Sequence, residues 1–136
     1  MKQPRKQDAP ARVGQLVAYG LWGLVAFAVG MLALWVTFDI AGLPYALSVA
    51  LSVTANLCAH YIASRTFVFT DTARSFEEGF VIFVGIGIAE IIGITALATL
   101  AVAYGGADEY VARIAAGILA ACIGFWANGR FTFRAL

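Results

Sequence analysis

A chain of 136 residues that is 62% hydrophobic and only 12% charged holds more apolar surface than a soluble domain of this length can bury. Its 9 basic and 8 acidic residues nearly cancel, leaving a net charge of +1, which does not suit a nucleic-acid binder. Lipid is therefore expected to be the solvent for most of the chain.

The charges cluster, so the uncharged stretches can be read in chain order. They predict an all-α membrane protein, one transmembrane domain over residues 1–136 with helices at about 13–38, 43–64, 79–104 and 110–128. Helices near the roughly 20 residues that cross a hydrocarbon core are what such stretches form. The first is too long for the apolar core of a cleavable signal and has no small-residue cleavage site after it, so it reads as a retained helix. Of the nine basic residues, only Arg113 falls on the side of the acidic residues Asp39, Asp108 and Glu109; the rest precede helix one, separate helices two and three, or follow helix four. Basic residues in short connections stay cytoplasmic, so both ends are expected inside. Trp35, Tyr45, Tyr104 and Tyr110 then fall at the outer interface, and Phe67, Phe69, Trp126, Phe131 and Phe133 at the inner one. Cys58 and Cys122 lie in mid-helix and read as small apolar fillers rather than a disulfide or metal pair.

The chain repeats itself. A shift of 64 residues places Ala63-Ser64-Arg65-Thr66-Phe67-Val68-Phe69 over Ala127-Asn128-Gly129-Arg130-Phe131-Thr132-Phe133 and Cys58 over Cys122. A two-helix unit ends on the side where it began, so the two copies must be parallel. Within the first copy Ser48, Ser52, Asn56, His60 and Ser64 recur every four residues and form one polar ridge on helix two. The matching positions of helix four are Ala112, Ala116, Ala120, Gly124 and Asn128, a small-residue ridge suited to close packing against a polar one.

No paired carboxylates, phosphate-binding glycine loop or metal-spaced cluster is present, so covalent catalysis and cofactors are not expected and the chain does not read as an enzyme. The candidates are its intramembrane polar groups. Glu90 stands about 16 Å into helix three at 1.5 Å per residue, where a charge costs about 3 kcal/mol. It must be neutral, paired, or open to a hydrated recess. Asn56 falls at a similar depth and His60 one turn closer to the cytoplasm, so the three can line one cavity. Arg65 and Arg130 sit among aromatic residues at the height of lipid phosphates, which guanidinium groups bind bidentately.

A helix ending in Asn-Arg-x-[Phe/Trp]-[Val/Thr]-Phe, twice in a four-helix chain, resembles the GtrA-like family. Here the motif stands as Ser64-Arg65-Thr66-Phe67-Val68-Phe69 and Asn128-Gly129-Arg130-Phe131-Thr132-Phe133. The resemblance implies flipping of polyprenyl-phosphate-linked sugars across the bacterial cytoplasmic membrane for surface polysaccharide synthesis; the polar residues read above fit that role, and Asn56, His60, Arg65, Glu90, Asn128 and Arg130 are the expected substrate-binding residues. The chain departs from the family pattern at Ser64, His60 and Gly124, where the family has asparagines, and it has no acidic residue in helix one. Because four helices scarcely enclose a sugar route, a homo-oligomer, a dimer or higher, is expected. Two further readings use the same residues. One is a scaffold that recruits a polyprenyl-phosphate glycosyltransferase through the small ridge of helix four. The other is a proton-coupled exporter of cationic drugs that works through Glu90.

Overall fold

The computed structural model describes residues 9–68 and 76–127, and these are helical apart from two short connections. The chain runs through α1 (Ala9–Trp35), α2 (Tyr45–Ala63), α3 (Phe76–Gly105) and α4 (Glu109–Ala127). Single π-helical turns, Val36–Ile40 and Ser64–Val68, extend α1 and α2. The extension of α2 carries Arg65 inside the helix rather than beyond its end.

Large apolar side chains point away from the bundle: Leu24 is 67% exposed, Ile62 63% and Ile92 65%. In water such a surface drives aggregation, whereas in a bilayer it is the required exterior. The described stretches Val13–Ile40, Tyr45–Val68 and Val84–Gly105 are each long and apolar enough to cross a membrane. With the 19-residue α4 they make a four-helix membrane protein. Cys58 and Cys122 are free and face outward.

The repeat is visible in the backbone. Helices α2 and α4 both contain 19 residues and begin 64 positions apart, at Tyr45 and Glu109. Each is preceded by a glycine with positive φ, Gly42 at 67° and Gly106 at 63°, the left-handed conformation that only glycine adopts without strain. Past each glycine the chain closes the preceding helix with the same wide capping bond. Leu43 N–H donates to the Thr37 carbonyl at 3.0 Å, and Ala107 N–H to the Ala101 carbonyl at 3.2 Å. The next helix then opens with Ser48 N–H on the Pro44 carbonyl or Ala112 N–H on the Asp108 carbonyl. Two helical hairpins thus lie side by side in parallel, both turns at one end.

That end carries Asp39, Asp108 and Glu109. Among the described residues its one basic neighbour in sequence, Arg113, is fully buried, so the described turns present no exposed basic side chain, compatible with the outer side expected for them. Asp108 caps α4, its carboxylate accepting the N–H groups of Tyr110 at 3.0 Å and Val111 at 3.1 Å. Asp108→Ala is expected to lower stability by about 1 kcal/mol, read as a shifted midpoint in denaturant titration of the detergent-solubilised protein.

The apolar core, Leu34, Val49, Val53, Ile94, Ala98, Ala112 and Ala116, draws on all four helices and sits in the outer half of the bundle. The polar ridge of α2 faces α1 rather than the small ridge of α4 that the sequence pairs it with. A Cβ on Gly30 would lie 2.9 Å from Asn56 Cβ and 3.0 Å from the Ser52 carbonyl oxygen, and one on Gly23 would lie 3.6 Å from His60 Nε2. Gly23 and Gly30 are two turns apart on one face of α1. Their missing side chains let the bulkier polar residues of α2 come close, while Ala112 and Ala116 of α4 are used up in the apolar core.

Candidate functional site

The polar groups lie along α2 in three levels. At the inner level the side chain of Ser64 is buried and Arg65 is half-buried. Phe67 stacks on Trp22 of α1, with ring centroids 4.6 Å apart and planes 8° from parallel. This stack pins the π-helical turn, and Arg65 with it, against α1.

One turn outward, the His60 ring packs on Tyr19 at 4.5 Å between centroids. Its Nε2 is buried without a hydrogen-bonding partner and points to the position of Gly23. Glu90 of α3 is half-buried. Asn56, a turn further out and half-buried, packs instead against Gly30 and belongs with the level above. Of the three residues expected to share one recess, His60 packs on Tyr19 and Asn56, one turn away on the same face of α2, packs at Gly30. Asn128 and Arg130 lie outside the described residues.

The outer level centres on Arg113. Taken as a residue of the outer connection, it is instead the largest fully buried side chain among the described residues, 0% exposed. Side chains on a helix lean toward its N-terminus, so an arginine on the first turns of α4 would normally snorkel outward to water. This one folds the other way. Its Nη1 approaches Gly117, one turn deeper, where an added Cβ would lie at 2.8 Å, and Nη2 lies 3.5 Å from the Cβ position of Gly30. Nε donates to Ser52 Oγ at 3.1 Å, and Ser52 donates in turn to the Gly30 carbonyl at 2.7 Å. The guanidinium sits 5.5 Å from the centre of the Phe27 ring, a favourable cation–π distance. Neither Nη1 nor Nη2 has a hydrogen-bonding partner.

Two tyrosines close the bundle above it. Tyr45 at the start of α2 donates to the Glu109 carbonyl at the start of α4, and Tyr110 donates to the Asp39 carboxylate. Tyr45 feels both the positive charge of Arg113 and the negative charges of Glu109 and Asp108. These side chains are ties between the two hairpins as well as interfacial aromatics. The sequence signal for Arg113 was faint: a cation followed by Gly117 one turn deeper, in a stretch of small residues that leaves a guanidinium room to turn inward.

A lipid-facing bundle of two parallel helical hairpins, with a file of polar side chains and a buried arginine inside, defines a multi-pass membrane protein. The chain belongs to the GtrA/DPMS transmembrane-domain family, whose model matches residues 18–135. No curated protein and no solved structure matches it significantly.

Proposed function

We propose that the protein moves a polyprenyl-phosphate-linked sugar between the leaflets of the bacterial cytoplasmic membrane. The observation that supports this most is the polar face of α2: Ser52 and Asn56 lie against Gly30 of α1 and His60 against Gly23, with Ser64 buried one turn further in. Sugar hydroxyls need hydrogen-bonding partners throughout about 30 Å of hydrocarbon. Asn56, His60, Tyr19 and Glu90 supply both donors and acceptors, and the prenyl chain stays in lipid outside. Arg65 receives the phosphate at the cytoplasmic interface, with Asn128 and Arg130 as its counterparts in the second hairpin. Such a route requires a groove open sideways to lipid, with a second copy of the chain completing its wall. A cross-linked dimer or larger species in native membranes is the expected result for that last point; a strict monomer there removes it.

The buried positive charge of Arg113 speaks against export of cationic drugs, since a cation crossing the same interior meets repulsion that little water screens. The scaffold reading requires no polar interior at all. Purified protein in proteoliposomes is expected to translocate a polyprenyl-phosphate monosaccharide. Glu90→Gln and His60→Ala are expected to slow it by about tenfold each, as loss of one or two buried hydrogen bonds implies. Absence of any protein-dependent movement, together with capture of a glycosyltransferase from native membranes, transfers the assignment to the scaffold.

A further inference from the structure

Arg113 is a fixed charge, since a guanidinium does not give up its proton in a protein. It is 0% exposed and its two terminal nitrogens are unpartnered. A desolvated charge of this kind costs several kcal/mol unless an opposite charge offsets it. Nothing obliges the chain to accept that cost for topology alone, because the outward path toward Asp39, Asp108 and Glu109 is short and the side chain turns away from it. The inward position is also prepared. Glycine at 30 and at 117 leaves the space that Nη1 and Nη2 occupy, and the hydroxyl of Ser52 holds Nε so that the other edge of the guanidinium stays free. Two parallel N–H donors on one free edge are the geometry that recognises a phosphate oxygen pair.

From these observations we infer that Arg113 is a phosphate-binding station in the outer half of the membrane, shut in this structure under the Tyr45–Glu109 and Tyr110–Asp39 ties. Its ligand is a phosphate ester, held by Nη1 and Nη2 between α1 and α4, and it reaches the station when the two hairpins part at those ties. Ser52, at the level of Arg113, and Arg65 are thirteen residues apart on α2, about 20 Å along the helix. The two arginines therefore stand about 20 Å apart along the bilayer normal, Arg65 at the inner end and Arg113 in the outer half. The inference rests on the lipid-phosphate reading above and gives it an outer end point.

The test uses full-length protein in nanodiscs and three probes: farnesyl phosphate, farnesol and inorganic phosphate, followed by phosphorus NMR and by the shift of unfolding temperature. Wild type is expected to bind farnesyl phosphate but not farnesol. Arg113→Gln is expected to weaken that binding by at least about tenfold, the effect of losing two charge-assisted hydrogen bonds. Arg113→Lys, which keeps the charge but not the fork, should fall between the two and guards against misfolding of the glutamine variant. Equal binding of inorganic phosphate assigns the station to free phosphate, whereas binding only of the prenylated probe assigns it to a lipid head; in both cases an anion occupies Arg113. Unchanged affinity in both variants, or no phosphate binding by wild type, overturns the inference. Translocation by wild type is scored separately. If it occurs while Arg113→Gln binds normally, the station falls and the transport reading stands; if binding is lost in the variant but wild type translocates nothing, the reverse holds.

Discussion

Replacing Arg113 by methionine is expected to stabilise the folded protein by about 2 kcal/mol while abolishing translocation. The stability gain follows from removing a buried charge that has one neutral hydrogen bond and no anion: an apolar side chain of similar volume needs no desolvation. Against it stand the lost bond to Ser52 and the lost interaction with Phe27, each worth about 1 kcal/mol, so the net effect is smaller than the full desolvation cost. Ser52 keeps its bond to the Gly30 carbonyl, and no new buried orphan is created. Reversible unfolding in mixed micelles with increasing SDS measures the first effect and the proteoliposome assay the second. A residue retained for packing would show the opposite pattern, with stability falling and translocation lost only in proportion. Stability given up at a functional position is the common pattern for groups that wait for a ligand.

Gly30→Leu is expected to be the most damaging single change in the described bundle. Even a methyl group at this position meets Asn56 Cβ at 2.9 Å and the Ser52 carbonyl oxygen at 3.0 Å. Neither is the end of a flexible side chain, so the helices themselves must separate. Overpacking of this kind costs about 1–3 kcal/mol or more in a close-packed interior. Separation of α1 from α2 also takes the Gly30 carbonyl away from Ser52 and the Gly30 wall away from Arg113. Loss of folded protein on expression, or a fall of about 10 °C in unfolding temperature for the fraction that folds, is the expected reading. Gly85→Leu is the comparison, because a Cβ there meets nothing within 4 Å; equal damage from the two would mean that apolar bulk on any helix, and not the contact at Gly30, is what the protein rejects.

How far the amino-acid sequence carries can be traced through particular residues. Helix number, the antiparallel order within each hairpin and the duplication follow from clustered charges and a recurring aromatic tail, because in lipid every backbone polar group must be paired within a helix. The structure adds to that repeat the paired turns at Gly42 and Gly106, which share φ and capping bonds. The ridge on α2 was legible from its spacing of four. Its partner was not: facing choices depend on which small residues of three other helices come opposite, and only packing decides that.

Charge placement gives the expected orientation, with both ends of the chain in the cytoplasm, and periodicity gives the residues that share the polar side of α2, since both depend on local spacing and on the solvent. Tertiary structure alone decided where Arg113 goes and that His60 packs on Tyr19 while Asn56 packs at Gly30. An arginine has enough reach to point either to water or into the bundle from the same backbone position. Which way it turns is set by the space left at Gly30 and Gly117 and by Ser52, residues brought beside it from distant parts of the chain or from the next turn of its own helix.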